Sequence, residues 1–180
     1  MKRVDHIRLM ATYNEWMNAK VYAAARHLSD EELVANRRAF FGSILETLNH
    51  LVTSDTLWLK RFATHPAAYT ALESVRNLPV PDVHDLLRFP DLHSLTEHRK
   101  WLDGVIIEWA GTVAESDLDF VLHYANSQGT VGDKNFFGLL MHFFNHQTHH
   151  RGQVTTLLSQ QGIDVGVTDL NALVPNFSGA

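Results

Sequence analysis

The greatest chemical capacity of the chain lies between residues 139 and 153, in Leu139-Leu-Met-His142-Phe-Phe-Asn-His146-Gln-Thr-His149-His150-Arg-Gly-Gln153. On a helix, His146 and His150 stand one turn apart, about 40° round the axis. Leu139, Phe143, Gln153, Val154 and Leu157 fall on or beside that face, so two imidazoles interrupt an apolar stripe. Buried imidazoles without partners are costly, and an i,i+4 pair converging on one divalent cation removes the cost most simply. The plain alternative is a pair of hydrogen-bonded core histidines. His142 is also one turn from His146 and could replace His150. Both cannot join, because they lie about 12 Å apart along the axis. His149 is about 100° from His150, at the edge of the stripe.

A mononuclear site with an open position needs a third protein ligand. The candidate is His50, in Leu48-Asn-His-Leu51. It lies about 140° from the middle of its helix's main apolar stripe, on a second face with Thr47, Leu51, Ser54 and Leu57. Two other metal chemistries are disfavoured. His146 and His150 have zinc-peptidase spacing, but Gln147 stands where the glutamate base belongs. No Glu-x-x-His occurs, which argues against a carboxylate di-iron centre. Three neutral imidazoles would leave the ion its full +2 charge, lowering the pKa of bound water towards about 7 and deprotonating a substrate thiol outright. Hydrolysis and thiol transfer both follow from that activation.

The polar residues expected around the ion are Tyr13, Asn14, Asp55, Arg151 and Gln153. Three are catalytic candidates. Gln153 shares the ligand face. Tyr13 lies on the stripe of the first helix, where a buried tyrosine with one hydrogen bond is the simpler reading. Asp55 lies in the main stripe of the second long helix, so its carboxylate needs a partner, expected among the cations of the first helix. Arg151 faces elsewhere and is expected to be a structural ion-pair partner.

Four long amphipathic segments must position these residues. Leu9, Tyr13, Trp16, Met17, Val21, Ala24 and Leu28 predict a helix over 5–28 with Asp5 as its N-cap. Ser29-Asp-Glu-Glu32 has capping-box spacing and starts a short turn. Ser43-Ile-Leu-Glu46 opens a second long helix to about 63, and Ser94-Leu-Thr-Glu97 a third, with Leu95, Leu102, Val105, Ile106, Trp109 and Val113 as its stripe. Four of the five prolines fall between 66 and 90, predicting an ordered, extended crossover. Alternation at Phe120, Leu122 and Tyr124, followed by Asn126-Ser-Gln-Gly129, predicts a short hairpin within 118–133. The last helix runs from about 134 to 161 and closes at Gly162, with the tail an extended strap. The fold class is all-α: a four-helix bundle with a long Pro-rich crossover, residues 1–180 forming one domain. Such bundles build metal sites on facing helices.

Composition narrows the function classes. The 180 residues include twelve histidines, five lysines and no cysteine, and the formal charge is −5. Absence of cysteine removes disulfides, thiolate nucleophiles and cysteine-ligated metal sites. Scattered basic residues and a negative balance disfavour nucleic acid. No stretch reaches the roughly 18 apolar residues of a membrane span, and Met-Lys-Arg-Val-Asp-His lacks the apolar core of a signal peptide, so the expected location is the cytoplasm.

Together these segments resemble the DinB family of damage-inducible bacterial proteins. The resemblance rests on Tyr13-Asn-Glu-Trp-Met-Asn-Ala-Lys20, Leu28-Ser-Asp-Glu-Glu-Leu33, Phe40-Phe-Gly-Ser43, Thr47-Leu-Asn-His-Leu51, Asp55 with Trp58-Leu59, Tyr124-Ala-Asn-Ser-Gln-Gly129 and Asn145-His-Gln-Thr-His-His-Arg-Gly-Gln153. It implies an up–down–down–up bundle and a homodimer. It also implies one divalent ion, zinc or nickel, held by His50, His146 and His150. Similar proteins include thiol-dependent transferases and metal-dependent hydrolases of small molecules. Two function classes stay open at this stage: an enzyme of that kind, and a non-catalytic metal-binding or ligand-sequestering stress protein.

Overall fold

The computed structural model describes residues 2–126 and 129–176. The chain is mainly helical, with one two-stranded antiparallel sheet among the described residues. Helix α1 spans Arg3–Ala25, α2 Asp30–Val34, α3 Ile44–Phe62, α4 Glu73–Arg76, α5 Leu92–Thr112 and α6 Phe136–Ser159; strands β1 and β2 span Val121–Ala125 and Val131–Asn135.

The expected caps hold in part. Ser29 and Glu32 form the reciprocal box that starts α2, and Ser43 Oγ accepts from the Glu46 N–H to start α3. Two starts differ. Lys2, not Asp5, is the N-cap of α1; Asp5 sits one turn inside, where its Oδ2 accepts from the Lys2 N–H at 3.0 Å. Asp91 caps α5, accepting from the Ser94 N–H at 2.8 Å, so Ser94 lies in the first turn. Both helices begin earlier than their Ser or Asp signals suggest: in α1 an acidic side chain inside the first turn reaches back to the N-cap N–H, and in α5 an acidic N-cap takes the role expected of the serine.

The expected stripe of α1 holds in part, with Tyr13, Met17, Val21 and Ala24 buried, and the core face is wider than that stripe. Ile7, Ala11, Asn14, Asn18, Val21 and Ala25 are buried, whereas Leu9 and Trp16 are only half-buried. Two asparagines on the buried face hide part of it from a hydrophobic count. The crossover is not wholly extended: a 3-10 turn at Thr70–Leu72 leads into α4, and Ala71, Leu72 and Val75 are buried. Lys60 ties this connection to α3 by donating to the carbonyls of Val75, Arg76 and Leu78.

The hairpin forms as predicted, with Leu122 facing Lys134 and Tyr124 facing Gly132. Ser127 and Gln128, at the expected turn, lie outside the described residues. Gly162 closes the last helix with φ 75°, a left-handed conformation that favours glycine. The tail beyond it crosses α1, where Tyr13 donates to the Thr168 carbonyl at 2.7 Å and Lys20 to that of Val167 at 2.6 Å.

Contacts define the directions of the long helices. Arg3 meets Glu115 while Asn14 and Asn18 meet Asp103, so α1 and α5 are antiparallel. Trp58 meets His142 and Phe62 meets Phe136, so α3 and α6 are antiparallel. Asp55 meets Arg99 and Phe62 stacks on Trp109, so α3 and α5 are parallel. Phe62, Trp109, Phe136 and Phe143, all fully buried, join α3, α5 and α6 in one aromatic cluster. Among the described residues, no helix is long and apolar enough to cross a membrane.

Candidate functional site

His50 comes from α3, and His146 and His150 from α6. One ring nitrogen from each lies within 4.8 Å of those from the other two. His146 Nε2 is 3.3 Å from His50 Nε2 and 3.1 Å from His150 Nε2. Any one nitrogen carries either a proton or a lone pair, so His146 Nε2 can satisfy one neighbour fully but not both. A cation at the centre would satisfy all three. The spacing suits that role: nitrogens about 2.0–2.1 Å from one tetrahedral ion stand about 3.3–3.4 Å apart.

The surroundings keep the cluster neutral. Burial, then the nearby His150, lowers the His50 pKa to about 4. Burial, with smaller contributions from the neighbouring histidines, lowers His146 to about 3. His150 is also lowered by burial, against an opposing hydrogen bond that it donates to Gln153. Gln153 Oε1 lies 2.7 Å from His150 Nδ1, which fixes the proton there and leaves the Nε2 lone pair facing the other two rings. Ser54 Oγ stands 3.3 Å from His50 Nε2. His146 Nδ1 is buried and has no hydrogen-bond partner among the described residues.

One wall was not anticipated. Phe41 stacks on His50 at 4.0 Å between ring centroids and meets His150 edge-on at 5.3 Å. The loop before α3 reaches this position by turning at Gly42, whose φ is 81° and whose N–H donates to the Ala39 carbonyl. A Cβ there would also stand 2.7 Å from a Glu46 carboxylate oxygen. The Phe40-Phe-Gly-Ser43 motif was visible in the sequence, but nothing local assigned its second aromatic ring to the histidines.

The remaining predicted residues are engaged elsewhere. His142 packs edge-on against Trp58 at 5.0 Å and lies 5.9 Å from His146, ring to ring, outside the cluster. His149 is exposed, its Nε2 3.4 Å from Gln153 Nε2. Tyr13 is held by Thr168, in keeping with the simpler reading. Asp55 is buried as expected, but its partner is Arg99 of α5 at 2.6 Å rather than a cation of α1. Arg99 bridges on to Asp103 at 2.9 Å, which accepts from Asn14 and Asn18 of α1. Arg151 is not in an ion pair among the described residues. It is buried and donates to Asn14 and Thr148, and burial lowers its pKa to about 10. A polar layer therefore joins all four long helices next to the histidine turn.

The family model of the DinB family matches residues 1–174. The chain belongs to the DinB family. Protein DinB of Bacillus subtilis (strain 168) is similar at 26% identity over 164 residues, covering 87% of this chain and 87% of that one. No solved structure gave a match. The DinB match spans both helices that carry the histidine triad and nearly the whole described chain.

Proposed function

We propose that this DinB-family chain is a metal-dependent protein acting on a small molecule, with His50, His146 and His150 holding one zinc or nickel ion per chain. The observation that carries this reading is the convergence of three neutral imidazoles from two helices, with His146 Nε2 3.3 Å from that of His50 and 3.1 Å from that of His150. When bound, the ion would supply Lewis acidity, activating a water or a substrate thiol at pH near 7. The chain's own residues do the rest. Gln153 holds the His150 tautomer, Phe41 shields one side of the rings, and the aromatic cluster beneath keeps α3 and α6 in register.

Hydrolysis and thiol S-transfer are the two reactions that fit. Thiol transfer asks less of the protein, since a thiolate needs no further base, and the catalytic candidates are otherwise occupied. Gln153 is bonded to His150, Tyr13 to Thr168 and Asp55 to Arg99. That same engagement favours a second reading, a non-catalytic metal-binding or ligand-sequestering stress protein.

The helix directions support an up–down–down–up four-helix bundle as the scaffold, which we read as one domain over 1–180. A homodimer in the cytoplasm, without nucleic-acid or membrane partners, completes the proposal. Untagged protein is expected to carry about one divalent ion per chain, lost in His146→Ala. Elemental analysis finding none after reconstitution would reject the site. Metal-loaded protein incubated with esters and with thiol–electrophile pairs, His150→Ala serving as control, separates the readings: turnover of either panel supports the enzyme, and silence across both supports sequestration.

A further inference from the structure

The cation–aromatic cluster at the far end of α3 is not used by the site described above. Arg61 lies eleven residues after His50, three turns along α3, about 16 Å along the axis and about 20° round it. The two therefore share one face. Its guanidinium lies 4.6 Å from the Trp58 ring centroid and 5.4 Å from that of Tyr124. No carboxylate or carbonyl among the described residues accepts a hydrogen bond from that guanidinium, although burial is sufficient to lower its pKa. An unpaired, partly desolvated guanidinium is costly, and its planar fork matches a carboxylate.

Arg61 opens onto a cleft of about 580 Å³ between α3, the crossover and β1. Three other charged or titratable side chains lining this cleft have partners. Lys60 is bonded to three carbonyls, Asp82 accepts from the His84 N–H, and His123 pairs with Asp133 at 2.5 Å. Contacts lead from this cleft to the histidines: Arg61 stacks on Trp58, Trp58 packs on His142, and His142 packs on His146. Trp58, Tyr124 and His142 also line the adjoining hollow over α6.

We propose that Arg61, between Trp58 and Tyr124, anchors the carboxylate end of an extended small molecule whose other end reaches the histidine triad. The substrate class is thus a carboxylate-bearing molecule spanning roughly three helical turns. The proposal rests on the metal-dependent reading for its reactive end, but not for the anchor.

Two measurements separate them. Metal-free protein titrated with benzoate, followed by ligand-observed NMR, tests the anchor alone. Arg61→Gln is expected to weaken binding about 10–100-fold, and Arg61→Lys to restore part of it, as loss of a charge-assisted pair requires. Equal benzoate binding by wild type and Arg61→Gln, or none by wild type, would show the guanidinium to be only a packing element and overturn the proposal. Zinc-loaded protein titrated with 12-mercaptododecanoate and with 12-mercaptododecan-1-ol, whose extended length is close to three helical turns, tests the span. The acid is expected to bind at least about tenfold more tightly than the alcohol, with the preference abolished in Arg61→Gln at equal zinc content. Equal binding of acid and alcohol by zinc-loaded wild type would overturn the extended ligand. Failure to load zinc would instead count against the metal site, and the benzoate comparison would still decide the anchor.

Discussion

Replacing Arg99 by methionine tests the reasoning about the polar layer most severely. Arg99 is 2% exposed and stands between the carboxylates of Asp55, at 2.6 Å, and Asp103, at 2.9 Å. Burial works against its charge, but Asp103 and Asp55 outweigh that and hold its pKa above the ordinary arginine value. Removing one partner of a buried pair costs about 3–5 kcal/mol, because the other charge is left uncompensated. Spread over a chain of this size, that loss lowers Tm by about 6–20 °C. Methionine fills much the same volume, so a cavity contributes little.

The pH dependence identifies the cause. Burial raises the pKa of both Asp55 and Asp103, and Arg99 partly offsets it. Without Arg99 both rise further. A carboxyl whose folded pKa exceeds its unfolded value costs nothing in acid and destabilises progressively as pH rises beyond the unfolded value. The deficit of Arg99→Met relative to wild type should thus be largest near neutral pH and narrow as pH falls. Thermal unfolding followed by circular dichroism between pH 7.5 and 5 measures this. Adding Asp55→Asn and Asp103→Asn to Arg99→Met should recover most of the loss, since the uncompensated charges are gone. A variant melting within about 2 °C of wild type, or a gap that widens in acid, would refute the account.

Gln153→Leu should weaken metal binding about 10–100-fold in a chelator competition while leaving the Tm of metal-free protein nearly unchanged, because it removes the group that fixes the His150 tautomer. The metal-free protein should lose stability as pH falls below about 6.5: His50 and His146 stay neutral in the fold down to about 4 and 3, so the unfolded chain takes up protons first. The fall should be shallower in His146→Ala by urea titration; an identical slope would contradict the neutral cluster. Tyr13→Phe should cost about 1 kcal/mol and speed proteolysis of the tail beyond Gly162, since the hydroxyl holds Thr168.

Local signals were legible where one element carries the whole pattern. The His146–His150 pair, the Ser29 and Ser43 caps, the hairpin and the Gly162 closure each depend on spacings of a few residues along one backbone. The buried face of α1 was legible only in part: Tyr13, Met17, Val21 and Ala24 were read correctly, but Asn14 and Asn18 take apolar positions there to meet Asp103 across the helix interface. Helix starts also shifted, Asp5 and Ser94 lying in first turns rather than at caps.

The third candidate ligand marks the boundary. Periodicity put His50 away from its helix's main stripe, and only the packing of α3 against α6 turns that second face towards His146 and His150. The identity of Asp55's partner, the placement of Phe41 over the rings and the hydrogen bonds of Arg151 were settled in the same way. By itself, the sequence determined which residues lie on a common helix face, because 3.6 residues per turn is a property of a single backbone. Which faces meet, and at what register, depends on side-chain volumes and buried polar pairs contributed by segments distant along the chain. Only the tertiary structure decided that.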